Sequence, residues 1–135
     1  MTSEEKEFIQ AIQAALSPDL IPKDYRGRPD NPMFGHCYHA SEALYRSLGG
    51  KTSGYKAQRG VDNDGVSHWW VESPTGEILD PTAAQYTDFD KTPPYHNAKG
   101  ASFRRTSGRA KTIMERISNP PRCSAPADGL RELLP

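Results

Sequence analysis

The first amphipathic pattern of the chain lies close to its start. Apolar side chains recur at helical spacing through residues 4–16, at Phe8, Ile9, Ile12, Ala15 and Leu16. Thr2 and Glu5 are three residues apart, as in a capping box, in which each side chain accepts a hydrogen bond from the other residue's backbone. The pattern predicts an amphipathic helix over residues 4–16.

Two later segments share this helical spacing. The first covers residues 37–48, and its apolar face contains Ala40, Ala43, Leu44 and Leu48. Gly49-Gly50 follows it and allows the left-handed backbone of a C-cap. The second begins after Ser107, a good N-cap residue. Its apolar side contains Ala110, Ile113, Met114 and Ile117.

Three short strand patterns lie between these two helices. They cover residues 55–59, 67–72 and 77–80, and clusters of Asp, Asn, Ser, Pro and Gly separate them. Tight links favour antiparallel pairing, because parallel pairs require a long crossover. The predicted fold class is therefore α+β, with an antiparallel meander packed against helices.

The remaining segments have no clear period. Residues 17–35 are rich in Pro and Gly and are expected to cross the molecule irregularly, and residues 83–106 contain Pro93-Pro94. We interpret residues 1–118 as a single domain and residues 119–135 as a Pro-rich tail that is at most partly ordered.

Composition narrows the functional classes. The chain of 135 residues has 17 basic and 17 acidic groups, so bulk charge does not favour nucleic acid or an anionic membrane as a partner. No apolar run approaches the roughly 20 residues that cross a bilayer, and the first residues lack the profile of a signal peptide. Two cysteines, Cys37 and Cys123, cannot build a disulfide framework. These features predict a cytoplasmic protein.

A cysteine, a histidine and an aspartate occupy positions that suit thiol catalysis. Cys37 opens a predicted helix, where the positive end of the helix dipole favours the thiolate. His68 lies on a predicted strand and can carry the proton as imidazolium before delivering it to a leaving group. Asp80 ends the next strand, where it can fix the orientation and tautomer of the ring.

The motifs around these residues are GHCYHASEALYRSLGG, then HWWVE, then GEILDPTAAQY. In order and spacing they resemble the transglutaminase-like core of the papain-like cysteine enzymes, over about residues 29–86. The resemblance implies that Cys37 is the nucleophile, His68 the base and Asp80 the orienting group. It also implies a cysteine peptidase, an amidase or a transglutaminase-like acyltransferase, with no cofactor and with a peptide, a protein or a small amide as substrate.

Such a site needs donors for a developing oxyanion. The backbone N–H of Cys37 is one, because the first amides of a helix have no acceptor within it. Related enzymes add a side-chain amide a few residues before the cysteine. Asn31 is the candidate here, although papain-like proteins usually have Gln.

A histidine and a tryptophan are candidates for substrate contact. His36 is expected at the mouth of the cleft. Trp69 and Trp70 point to opposite faces of their strand, so one belongs in the core and the other beside Cys37. We assign the substrate contact to Trp70.

A basic segment from Tyr95 to Arg109, which carries the aromatic residues Tyr95 and Phe103, offers a further contact. As a flap over the cleft it can bind a carboxylate or phosphate through Arg104, Arg105 or Arg109. The simpler interpretation is a solvated loop and helix face.

Other interpretations of the same residues stay open. The fold can serve as a non-catalytic domain that binds a peptide or partner in its groove. Zinc binding is a second alternative, and its ligands would be His36, Cys37, His39 and His68. That spacing is not a familiar zinc pattern, so no metal is predicted.

Overall fold

The computed structural model describes residues 1–21 and 35–118. Its helices are α1 (Ser3–Ala15), α2 (Cys37–Ser47), the short α3 (Ala84–Thr87) and α4 (Gly108–Ser118). Its strands are β1 (Lys56–Val61), β2 (Ser67–Glu72), β3 (Ile78–Leu79) and β4 (Lys99–Ala101). The described part of the chain is thus α+β, and it contains no helix with the length and apolar character needed to cross a membrane.

The four strands form one antiparallel sheet in the order β3-β2-β1-β4. The predicted meander corresponds to β1, β2 and β3, with His68 opposite Gly60 and Val71 opposite Leu79. The third strand is shorter than predicted. β4 was not predicted, because Lys99-Gly100-Ala101 has no alternating apolar pattern and is defined by its backbone pairing with β1.

All three long predicted helices are confirmed, and their ends follow from local chemistry. The amide of Glu5 donates to Thr2 Oγ1 at 3.1 Å and the amide of Thr2 donates to Glu5 Oε1 at 2.8 Å, which completes the capping box of α1. Ser107 Oγ accepts from the amide of Ala110 at the start of α4. Beyond α2, Gly49 has a φ of 101°, a value that favours glycine.

The hydrophobic core lies between α2 and the sheet and between α2 and the helices α1 and α4 that pack against it. Ile12, Leu44, Val71, Leu79 and Ile113 are all fully buried there. Burying one such aliphatic side chain contributes about 1.5–3 kcal/mol. This packing holds the first turn of α2 against the sheet.

A buried carboxylate also connects α2 to the chain that leads into α4. Glu42 is fully buried, and its carboxylate accepts from Arg46 Nε at 2.8 Å and from the amide of Ser107 at 3.3 Å. The guanidinium of Arg46 donates in turn to the carbonyls of Phe103 and Arg104. The loop before α4 is therefore fixed beside α2.

The opposite face of the sheet is covered by the segment after β3. His68 and Trp70 project there, and Tyr95 packs edge-on against Trp70 with ring centroids 5.0 Å apart. Gly60 lies below the same segment, where an added Cβ would be 2.5 Å from the carbonyl oxygen of Pro94. The absence of a side chain at Gly60 lets Pro94 and Tyr95 approach the sheet.

We expect Gly60→Ala to lower the free energy of unfolding by roughly 1–3 kcal/mol, because the new methyl group must displace the Pro94 backbone. Gly100→Ala on the neighbouring strand is the matched control, since no atom lies within 4 Å of its added Cβ. Urea denaturation measures both variants. Equal destabilisation would show that the close approach at Gly60 is unimportant.

Candidate active site

Cys37 is the first residue of α2 and is partly buried. Its thiol donates to the carbonyl oxygen of Ser67, with an Sγ–O distance of 3.7 Å, so it lies at the start of β2. Gly35, with a φ of 90°, leads the chain into the helix through a left-handed turn. The nucleophile candidate thus lies at the junction of a helix start and a central strand.

His68 and Asp80 form a direct buried contact. Their side chains are 0% and 3% exposed, and His68 Nε2 lies 2.6 Å from Asp80 Oδ2. The same oxygen accepts from the hydroxyl of Tyr95 at 2.7 Å, and Oδ1 accepts from the amide of Thr82 at 3.0 Å. The carboxylate is held on both sides, so it can hold the imidazole in one orientation.

The second ring nitrogen of His68, Nδ1, is also buried, and no hydrogen bond joins it to another group within residues 1–21 and 35–118. Burial lowers the pKa of His68, but the hydrogen bond to Asp80 and the interaction with the Cys37 thiol outweigh it and raise the pKa to about 9. Because Nε2 is bound to Asp80, we infer that Nδ1 is the nitrogen directed at Cys37. The three predicted triad residues are therefore brought together.

The cleft beside Cys37 has a volume of about 250 Å³. One wall is aromatic, because Tyr38 and Trp69 meet edge to face with centroids 4.7 Å apart and Phe103 packs behind both. Polar groups reach the cleft from other elements. They include His39 on α2, Gln85 on α3 and Arg109 on α4.

Trp69, and not Trp70, lines this cleft. Trp70 is only 2% exposed and packs between His68 and Tyr95. The assignment of the substrate contact to Trp70 is corrected accordingly. Adjacent strand residues alternate between faces, and the choice of face depends on which side α2 covers.

His36 is likewise inside the protein and not at the cleft mouth. It is 1% exposed and His39 is 2% exposed, with His36 Nδ1 2.7 Å from His39 Nε2. Burial lowers the pKa of His36 to about 4 and that of His39 to about 3, where the charges of His36 and Arg109 add to the effect. Both rings are therefore neutral near pH 7. Among the described residues, no three His, Cys, Asp or Glu side chains are grouped to hold a metal.

The three arginines predicted to contact substrate differ in whether they line the cleft. Arg104, Arg105 and Arg109 are all exposed, and of the three only Arg109 lines the cleft. Asn31, the proposed oxyanion donor, and Cys123 lie outside the described residues.

Sequence reasoning missed three residues around the triad. Tyr95 donates to Asp80, and Tyr86 packs edge-on against His68 with a centroid distance of 4.9 Å while donating to Asp62. Gln85 lines the cleft. Gln85 and Tyr86 closely follow the Asp-Pro-Thr motif, which was the available signal. The sequence placed Tyr95 only in the basic segment and gave no sign of its contact with Asp80.

No protein-family model, curated protein or solved structure matches the chain. The class of the protein is therefore described by its structure: it is an α+β protein with a cysteine, a histidine and an aspartate beside a small cleft.

We expect Asp80→Asn to lower the pKa of His68 from about 9, because the substitution removes the carboxylate that stabilises the imidazolium. Asp64→Asn, at an exposed turn position, is the control and should leave it unchanged. Imidazole ¹H–¹⁵N NMR titration reports the value. Since the pKa rises on folding, stability from this pair is complete below about pH 6.5 and is lost as pH rises through about 9. An unchanged titration in Asp80→Asn would contradict the pairing.

The neutral pair of His36 and His39 should change the stability with pH in the opposite direction to the His68–Asp80 pair. The pKa values of His36 and His39 fall on folding, so the unfolded chain takes up protons that the folded chain does not. We expect the free energy of unfolding to decrease as pH falls from about 6.5 toward 4. Urea denaturation across this range should show a weaker dependence in His39→Gln. The exposed His96→Gln serves as control; identical slopes in both variants would refute the assignment.

Proposed function

We propose that the protein is a thiol-dependent acyl-transfer enzyme that hydrolyses an amide or isopeptide bond, on a papain-like, transglutaminase-like core. Cys37 would be the nucleophile, His68 the base and Asp80 the orienting group. The observation that carries this proposal is the buried 2.6 Å contact between His68 and Asp80, together with an imidazole that interacts with the Cys37 thiol.

In this mechanism His68, whose pKa is raised to about 9, accepts the proton of the Cys37 thiol, which gives a thiolate beside an imidazolium. The Cys37 thiolate attacks the carbonyl carbon, an S–C bond forms, and the carbonyl electron pair moves to oxygen. As the C–N bond breaks, His68 gives its proton to the departing nitrogen. An amine leaves and a thioester remains on Cys37.

Water completes the reaction. Neutral His68 takes a proton from water as the water oxygen attacks the thioester carbonyl, and the C–S bond then breaks. The products are a carboxylic acid and the original thiolate–imidazolium pair. A second amine in place of water would give transamidation with the same residues, so hydrolysis and transamidation are two outcomes of one mechanism.

The oxyanion would form near the start of α2. The first hydrogen bond within this helix runs from the amide of Ala40 to the carbonyl of His36, so the amide of Cys37 precedes it and has no intrahelical acceptor. Asn31 remains the side-chain donor that the family resemblance implies. Gln85 offers a second amide that lines the same cleft.

Asp80 would act through His68, and Tyr95 through Asp80. By accepting from Nε2–H, the carboxylate leaves Nδ1 as the nitrogen that exchanges protons with Cys37 and substrate. Tyr95 donates to the same carboxylate oxygen, and burial followed by the Asp80 charge raises its pKa, so Tyr95 stays protonated. Both are positioning residues in this proposal.

The substrate would be a peptide, a protein or a small amide. A reducing compartment such as the cytoplasm would keep Cys37 as a free thiol, and we propose that location.

Substitutions in the triad should produce graded losses. We expect Cys37→Ala to abolish turnover with little change in stability, and His68→Ala to be almost as damaging. Asp80→Asn should reduce kcat by a factor on the order of ten to a thousand, because the ring loses its orienting charge. The measurement combines turnover of an amide-substrate library with labelling of Cys37 by a thiol-reactive probe.

Cys123→Ser is the matched control and should retain full activity. Full activity in Cys37→Ala would end the proposal. A wild-type protein that binds a peptide without turnover, with affinity preserved in Cys37→Ala, would favour the non-catalytic binding domain instead.

A further inference from the structure

The Cys37 cleft contains a cation that the proposed mechanism does not use. Arg109 lies in the first turn of α4 and lines the cleft together with Cys37. Among the described residues, its guanidinium has no hydrogen-bond or ion-pair partner. The described lining includes no Asp or Glu side chain, so no carboxylate neutralises this charge within the cleft.

The backbone around the cleft also contributes partial positive charge. α2 and α4 both begin at the cleft, with Cys37 and Ser107 among its lining residues. The amino end of a helix carries a partial positive charge. The buried histidines beside the cleft are neutral near pH 7, because burial lowers the pKa of both. An anion in this cleft would therefore meet Arg109 and two helix starts, and the described lining includes no carboxylate.

The size and apolar wall of the cleft limit what the anion can be. Its volume of about 250 Å³ is below the roughly 300–1,000 Å³ of drug-sized sites, so it suits one side chain rather than a long segment. The Tyr38–Trp69 wall can contact methylene groups. A planar guanidinium matches a carboxylate through paired hydrogen bonds.

We propose that this cleft contains a carboxylate subsite built on Arg109, which selects amide substrates with an acidic side chain next to the scissile bond. The cleavage of an amide bond in this proposal rests on the proposed function, whereas the binding of a carboxylate at Arg109 does not. Arg109 would be a specificity residue that contacts substrate and takes no part in proton transfer.

Alkylation of Cys37 tests the subsite without any turnover. Iodoacetate carries a carboxylate and iodoacetamide does not, while both react by the same displacement of iodide by the thiolate. In the full chain with Cys123→Ser, we expect Arg109→Gln to lower the ratio of the iodoacetate rate to the iodoacetamide rate by a factor on the order of ten. The iodoacetamide rate should stay nearly constant.

Two further variants control for the position and the charge of Arg109. Lys111→Gln removes an exposed charge from the same helix at a position that does not line the cleft, and its ratio should equal that of the parent. Arg109→Lys keeps the charge and should retain part of the preference. An unchanged ratio in Arg109→Gln, or an equal loss in Lys111→Gln, would overturn the proposal.

Paired amide substrates with Glu or Gln beside the scissile bond then test the selection. We expect a higher kcat/KM for Glu in the parent, and loss of that preference in Arg109→Gln. Equal use of both in the parent would overturn the selection. Failure of the proposed function would be distinguishable, because it would abolish turnover of both substrates while leaving the alkylation ratio intact.

Discussion

The buried hydrogen bond between His68 and Asp80 is the contact on which the candidate site depends. Taking a carboxylate and an imidazolium out of water costs several kcal/mol per ion, so such a pair persists only where other groups satisfy it. Here the hydroxyl of Tyr95 and the amide of Thr82 supply the remaining hydrogen bonds to Asp80. The pair therefore requires the segment after β3 to fold back over the sheet.

That requirement explains features far from the cysteine. Pro94 and Tyr95 reach the sheet because Gly60 has no side chain to keep them away, and Trp70 fills the space between Tyr95 and His68. The same face of the sheet thus holds the imidazole by packing and the carboxylate by hydrogen bonds. Tyr95 contacts the candidate site through Asp80 even though it lies 15 residues from Asp80 in the chain.

The other half of the site depends on α2. Its apolar face packs with Ile12, Val71 and Ile113, and its buried Glu42 holds the approach to α4 through the amide of Ser107. One helix therefore brings Cys37 to the start of β2 and also brings Arg109 to the cleft. The position of Cys37 and the charge of the cleft are consequences of the same packing.

The sequence by itself determined the three long helices and the three-strand meander, and it singled out Cys37, His68 and Asp80 as the candidate cluster. Helical spacing, capping residues and turn clusters are local properties, and the cluster lies at element ends that local patterns identify. Only the tertiary structure decided that Trp69 faces the cleft, that Arg109 and not Arg104 or Arg105 enters it, and that Tyr95 supports Asp80. These outcomes depend on which face of each element another element covers, and that choice is made by packing between residues distant in the chain.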